Sequence, residues 1–302
     1  MKFNICIPSY KRESLLQVMI SSISDDILVC ISDNGDFYKK NRTFHGKANV
    51  FIHGCAPVIP MFSNWVRAAS LSEEPFFFLP SDDDLYYQGL EVKVSKTVDS
   101  ISDQDMSNVS MIVFGHNIID EFGNVLSSWV PPVEGIFESK AAFEVFKFGV
   151  DARMPSILIN KEKYQNVGGI NTAFQLTAAD SELIQKLALT GKVIFSKEII
   201  SAYRVWPGSL THKKIASEEW SREIELWMSN IVPLLYAEKY SSSFIKEVTD
   251  EIRLRNIITG VSYADGIKSL IQFLFIKKYP RHAKMKTHMR LILQVLKKFI
   301  HK

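Results

Sequence analysis

Apolar residues arrive in two alternating rhythms over the first 110 positions. Short runs at residues 3–7, 27–31, 50–53 and 76–79, with 111–114 as a fifth, are rich in β-branched and aromatic side chains and read as strands. Between the first two, Leu15, Leu16, Met19, Ile20 and Ile23 recur at helical spacing, as do Met61, Phe62, Trp65, Val66 and Ala69 between the third and fourth. Strands separated by crossover helices predict an α/β fold on a mostly parallel sheet.

The regularity weakens beyond that point. Residues 120–125, with Phe122-Gly123-Asn124, read as a turn between extended segments. Residues 156–160 are a strand candidate, 180–189 a helix, and 193–195 and 199–205 two more strands. From Ser217 the pattern is helical only: Trp220, Ile224, Trp227, Ile231 and Leu235 line one face, and Pro233 is expected to kink or break the run.

Composition narrows the class. With 302 residues, 46% hydrophobic and 23% charged, the chain can build a sizeable core, which excludes collagen-like, low-complexity and disulfide-scaffold readings. Cys6, Cys30 and Cys55 have no metal-ligand spacing and read as reduced thiols of a cytosolic protein. The N-terminal MKFNICIPSY has neither a long apolar region nor a cleavage site, and no apolar stretch approaches the ~20 residues that span a bilayer, so a cytoplasmic location is expected. The net charge of +3 is unevenly spread. Ten of the 36 basic residues fall between Ile267 and Lys302, where no acidic residue occurs, so the rest of the chain is net acidic.

The sharpest candidate chemistry is Phe76-Phe77-Phe78-Leu79-Pro80-Ser81-Asp82-Asp83-Asp84, an apolar strand that runs into three adjacent carboxylates. Like charges so crowded need solvent or a cation, and carboxylate oxygens are the ligands that Mg²⁺ and Mn²⁺ prefer. In open α/β sheets ligands bind beyond the carboxyl ends of the strands, where this triplet would lie. Taken alone, such a triplet reads first as a solvated loop before a helix, and its position at a strand end turns the reading toward a ligand site. Asp33, in Ser32-Asp33-Asn34-Gly35 after the second strand, either accepts a hydrogen bond from a nucleobase or ribose or simply forms a turn. The first strand ends in Pro8-Ser9-Tyr10-Lys11-Arg12, which offers an aromatic face for a base and positive charge for a diphosphate.

Together, in order and spacing, Pro8-Ser9-Tyr10, Asp33, Asn64 and Ser81-Asp82-Asp83-Asp84 resemble the nucleotide-sugar-binding half of the family 2 glycosyltransferases, which have the Rossmann-like A-type fold. Val167-Gly168-Gly169-Ile170 followed by Ala178-Ala179-Asp180-Ser181-Glu182-Leu183 is similar to the family's Gly-Gly turn and helix-opening acidic motif. The segment from Tyr203-Arg204 through Trp206-Pro207-Gly208 to His212 is similar to the one that closes over the donor diphosphate. The resemblance covers about residues 1–212. It implies an inverting, metal-dependent enzyme that moves a sugar from a nucleoside-diphosphate donor, UDP above all, to a hydroxyl of a glycan or lipid-linked glycan, as in bacterial surface-polysaccharide assembly (O-antigen or capsule).

Carried over position by position, the resemblance makes Asp180 the general base. Pro8, Ser9, Tyr10, Arg12, Asp33, Asn64, Asp82, Asp83, Arg204 and His212 become the donor-binding set, and Asp82, Asp83 and Asp84 the ligands of Mn²⁺ or Mg²⁺. Trp129, Arg153, Met154 and Glu182 fall on the acceptor side. Where the family usually places a glutamate before the base, this chain has Ala179, and Glu182 is a candidate for the missing charge. A nucleotide-sugar-binding protein without turnover is therefore the alternative, and a nucleotidyltransferase a more remote one. Asp180 by itself also reads as an N-terminal charge favouring its own helix dipole. His45, His53 and His116 lack partners at metal spacing and read as loop or core residues.

The expected organisation is a catalytic α/β domain over residues 1–212, a helical extension over 213–266 and a basic amphipathic tail over 267–302. In that tail Met285, Met289, Ile292, Leu296 and Phe299 share a stripe, with Lys284, Arg290, Lys297 and Lys298 around it. The pattern fits either an anionic membrane surface, on the inner face of the cell membrane, or packing on the chain's own domain. No recognition motif supports nucleic acid as a partner.

Overall fold

The structure, a computed structural model, describes residues 1–38, 47–99, 101–176, 178–264, 270–271 and 279–300. The expected elements at residues 267–269, 272–278 and 301–302, and the side chain of Phe299, lie outside them. The strands are β1 (Asn4–Ser9), β2 (Leu28–Asn34), β3 (Val50–Cys55), β4 (Phe76–Phe78), β5 (Leu85–Tyr86), β6 (Val109–Ile119), β7 (Val125–Trp129), β8 (Gly135–Phe137), β9 (Ile157–Asn160) and β10 (Lys192–Arg204). The helices are α1 (Glu13–Ser22), α2 (Met61–Ser70), α3 (Leu90–Val98), α4 (Asp103–Asn108), α5 (Ser139–Phe146), α6 (Lys161–Asn166), α7 (Ala178–Thr190), α8 (Leu210–Lys214), α9 (Glu218–Ala237), α10 (Ser242–Tyr263) and α11 (Met285–Ile300). Among the described residues no helix is long and apolar enough to cross a membrane.

The contacts divide the chain into two compact units. The first holds residues 1–145, 150–173 and 183–206, the second residues 146–149, 174–182 and 207–302. The first unit is built on one mixed sheet of order β3-β2-β1-β4-β9-β6-β10-β5, with β7 on β6 and β8 on β10. β3, β2, β1 and β4 run parallel, as do β6 and β10. Because alternate side chains face opposite ways, Ile5, Ile7, Val29, Ile31, Phe78, Ile112 and Phe114 meet Leu16, Met19 and Ile20 of α1 and Leu90, Val94 and Val98 of α3 in one core. Cys6, Cys30, Phe77, Met111 and Ile159 are buried on the other face, and the cysteines are free thiols.

Several expectations about elements change. The two strands expected at 193–195 and 199–205 are one, β10, bulged against β6 between Phe195 and Ser201, so that a charged Lys197-Glu198 step is carried without ending the strand. β9 runs antiparallel to both β4 and β6, so the sheet is not uniformly parallel. In the second unit α9 continues through Pro233 instead of breaking there. The ring removes one intrahelical hydrogen bond, but Trp227, Met228, Ile231 and Leu235 are buried on both sides of it, and that packing outweighs the loss.

Candidate functional site

The sheet order reverses between β2-β1 and β4, so the carboxyl ends of β1, β2 and β4 open together, the position where open α/β sheets take ligands. β4 delivers the acidic loop to this edge. Asp82 is buried and accepts from three donors: the Ser9 hydroxyl at 2.6 Å, the Tyr10 amide at 3.3 Å and Arg12 Nη1 at 2.9 Å. The same Arg12 nitrogen reaches Asp83 Oδ2 at 3.0 Å, and the indole Nε1 of Trp206 donates to that oxygen at 2.9 Å. The Arg12 guanidinium also lies over the Trp206 ring, 5.5 Å from its centroid. Asp84 turns inward, where Oδ2 accepts from the Ser81 amide at 2.9 Å and Oδ1 from the Arg204 amide at 3.3 Å. Burial pushes the Asp82 carboxyl up to about 6 against the pull of Arg12, and burial raises Asp84 well above the usual carboxylate range.

Six carboxylate oxygens thus leave one, Asp83 Oδ1, that takes no hydrogen bond. Among the described residues no three His, Cys, Asp or Glu side chains converge where a metal ion would sit, so the expected trio Asp82, Asp83 and Asp84 is not a preformed cage. The reason is local: Asp82 and Asp84 already have protein donors for company. A single carboxylate oxygen still suits Mg²⁺ or Mn²⁺, which commonly take one or two carboxylates and complete their shell with substrate phosphate and water.

Two cations expected to meet a diphosphate are committed elsewhere. Arg204 is buried, with Nε on the Asp83 carbonyl at 2.9 Å and Nη1 on the carbonyls of Asp120 and Glu121 at 3.0 Å each. It therefore fixes the acidic loop to the β6–β7 turn. Arg12 neutralises the two carboxylates and has part of its side chain in solvent.

Asp33 is wholly buried and accepts from the Tyr38 amide at 2.6 Å. Gly35, at a φ of +97°, lets the chain reverse immediately afterwards. The Tyr38 hydroxyl bonds the Ser9 hydroxyl at 2.8 Å and accepts from the Arg12 amide at 2.8 Å, which links the β2 turn to the acidic loop. Asn64 on α2 is buried, accepts from the Ser32 hydroxyl at 2.6 Å and donates to the Ser32 and Ser9 carbonyls, tying β1 to β2. Pro8 lies inside β1 beside Ser32. Tyr10 is 43% exposed, with Lys11 Nζ over its ring at 5.1 Å from the centroid. No pattern of residue types singles out Tyr38, Trp206 as a donor to Asp83, or Arg67, whose Nη1 donates to the Ser32 hydroxyl at 2.7 Å.

Of the residues expected on the acceptor side, Trp129 packs against His116 across the β6–β7 pair, the rings tilted by 31° with centroids 5.3 Å apart, and Arg153 lies over Tyr203 at 5.3 Å. Met154 is buried in a single 3₁₀ turn. Glu182 is buried in the second unit and accepts from Asn230 at 2.8 Å. Asp180 stands in the first turn of α7, in the second unit. The segment entering that helix is held by Glu223, an unforeseen residue, whose carboxylate accepts from the amides of Gln175 and Leu176. His212, on α8, is exposed.

No family model matches the chain, and no curated protein matches its sequence. Solved structures do share its fold. The crystal structure of S. aureus TarS 1–349 superposes with a TM-score of 0.62 at 11% identity, covering 99% of this chain and 82% of the other. TarS 1–349 in complex with UDP-GlcNAc gives 0.63 at 13% identity, over 91% and 80%. A mannosyltransferase, PcManGT from Pyrobaculum calidifontis in complex with GDP-Man and Mn²⁺, gives 0.52 at 12% identity, over 100% and 88%. The mixed α/β fold expected from the sequence is therefore the one observed, and it is shared with glycosyltransferases.

Proposed function

We propose that this chain is a glycosyltransferase that moves a sugar from a nucleoside-diphosphate donor, a UDP-sugar first of all, to a hydroxyl of a glycan or lipid-linked glycan, with inversion, in the cytoplasm. The observation that carries the reading is the acidic loop at the carboxyl edge of β4, beside the exposed Tyr10 ring, on a fold shared with structures that hold UDP-GlcNAc and GDP-Man. Tyr10 would stack on the base, and the linked Ser9, Asp82, Arg12 and Tyr38 would hold the floor of the donor site rigid. Asp83, through Oδ1, would hold Mn²⁺ or Mg²⁺, whose charge would stabilise the departing diphosphate. Asp180 would take the proton from the acceptor hydroxyl as its oxygen bonds to the anomeric carbon and the bond to the diphosphate breaks.

The test is Asp180→Asn. Donor affinity, measured calorimetrically with UDP and UDP-sugars, should be retained while transfer and donor hydrolysis fall by at least 10²-fold. Loss of binding together with activity would remove Asp180 from the role of base. Ala179, where the family's motif usually has a glutamate, favours a second reading, a donor-binding protein without turnover. That reading is supported if the unaltered chain binds UDP-sugar yet neither transfers nor hydrolyses it with any acceptor.

A further inference from the structure

The C-terminal helix α11 has two apolar faces, and among the described residues one of them packs on α10. Thr287 and Leu291, with Val295 one turn on, face α10 and its cluster of Leu254, Ile257, Ile258 and Val261. Polar anchors fix this side. The buried Glu251 accepts from the Thr287 hydroxyl at 2.6 Å and the Lys284 amide at 3.0 Å, Asp250 accepts from the His282 amide at 2.9 Å, and Lys298 reaches the Ala264 carbonyl at 3.2 Å. A helix fixed in this way cannot rotate to hide its other face.

That other face carries Met285, Met289, Ile292, Leu293 and Leu296, at the i, i+4, i+7, i+8 and i+11 spacing of one stripe, and all are between 49% and 75% exposed. It is the stripe that the sequence leaves open between membrane contact and intramolecular packing, and in the structure it is not the packing face. Lys286, Arg290 and Lys297 border it, all exposed. No Asp or Glu occurs in the chain after Asp265, and the two acidic side chains of α10 named above are turned to the packed side. An apolar stripe bordered by cations and bare of acids matches one kind of surface: apolar beneath, anionic on top.

We propose that α11 is a membrane-surface helix, which seats Met285, Met289, Ile292, Leu293 and Leu296 at the acyl boundary of an anionic bilayer while Lys286, Arg290 and Lys297 meet the lipid phosphates. The anionic lipid bilayer is the occupant for which the charge pattern is complementary. The proposal is independent of sugar transfer, and its test reads vesicle binding and not activity.

The full chain is co-sedimented with vesicles of phosphatidylcholine containing 30% phosphatidylglycerol and with vesicles of phosphatidylcholine alone. Binding is expected to the anionic vesicles only, and to weaken at least tenfold between 0.1 and 0.5 M NaCl, as screening requires. The triple variant Met289→Gln, Ile292→Gln, Leu296→Gln should lose at least tenfold in partition with an unchanged melting temperature, because all three side chains are about half exposed. The variant Lys286→Gln, Arg290→Gln, Lys297→Gln should lose the salt-sensitive part. As a control, Leu291→Gln on the packed face should lower the melting temperature. Equal binding to both vesicle types, unaltered binding by the apolar triple variant, or a dimer in light scattering that the triple variant dissolves without any vesicle binding would each overturn the proposal. So would a melting temperature that falls as far in the triple variant as in Leu291→Gln.

Discussion

Trp206 donates its indole N–H to Asp83 at 2.9 Å across 123 positions of sequence, and so ties the end of β10 to the acidic loop after β4. Because the same ring lies over the Arg12 guanidinium, a single aromatic side chain positions both signs of charge at the site. Trp206→Phe keeps the ring and removes only the hydrogen bond, and a bond to a charged group is worth about 1.5–3 kcal/mol. Chemical denaturation should show a loss of about that size, and binding of UDP should weaken. Trp206→Ala should lose more in both, since the cation–π contact goes as well.

Arg12 is the counter-ion of a buried pair of carboxylates, so its removal should cost more than the loss of a surface ion pair. Arg12→Ala is expected to lose about 2–4 kcal/mol in urea unfolding, because Asp82 is left in low dielectric with only the Ser9 hydroxyl and the Tyr10 amide. Adding Asp82→Asn should recover a good part of the loss, and the double-mutant cycle gives the coupling. Purely additive losses would show that the pair contributes nothing.

His116 carries the clearest pH signature. It is buried, and burial together with the nearby Arg153 pulls its imidazole down from 6.5 to about 4. A depressed pKa contributes stability that is complete above the unfolded value and is lost as pH falls through the folded one. The window is therefore about pH 6.5 to 4, and the loss amounts to about 3 kcal/mol. Asp82 has the opposite sign over nearly the same range: its carboxyl, raised to about 6, opposes folding more as pH rises. The two trends partly offset each other in the unaltered chain. Subtracting the denaturation profile of His116→Asn isolates the histidine, and a difference independent of pH would refute the assignment.

Added Mn²⁺ should separate the three aspartates. Asp83→Ala should abolish the increment in UDP affinity that Mn²⁺ brings, because Asp83 alone has a carboxylate oxygen to spare. Asp84→Asn should keep the increment and lower the melting temperature, since one of its oxygens receives the Ser81 amide and the other the Arg204 amide at the end of β10. Calorimetry with and without Mn²⁺ decides between them.

Glu223 orders the chain entering α7 by accepting two consecutive amides. Glu223→Ala should speed hydrogen exchange at Leu176 by at least tenfold and lower kcat more than it changes donor affinity. Equal losses in both would point to general destabilisation.

How much of this was legible in the sequence differs element by element. Periodicity marked β1 to β4 and the helices α1 and α2, because a strand or helix that buries one stripe must repeat its apolar residues at that stripe's spacing. It misread 193–205 as two strands, since Lys197-Glu198 looks like an interruption to any short window while a bulge costs the sheet little. It gave Pro233 too much weight, since propensity is local and the burial of Trp227 and Leu235 is not.

The order of residue types along the chain was enough to place Ser9, Asp33 and the acidic loop at one edge of the sheet, because carboxyl ends of parallel strands lie together whatever the loops do. Tertiary structure alone decided what each charge faces. Coulomb and hydrogen-bond energies fall off within a few ångströms, so whether Arg12 meets a carboxylate or stays free, and whether Asp82 or Asp83 keeps an open oxygen, depends on positions that no sequence interval encodes. The same holds for α11, whose sequence shows an amphipathic helix but not which of its two apolar faces α10 covers.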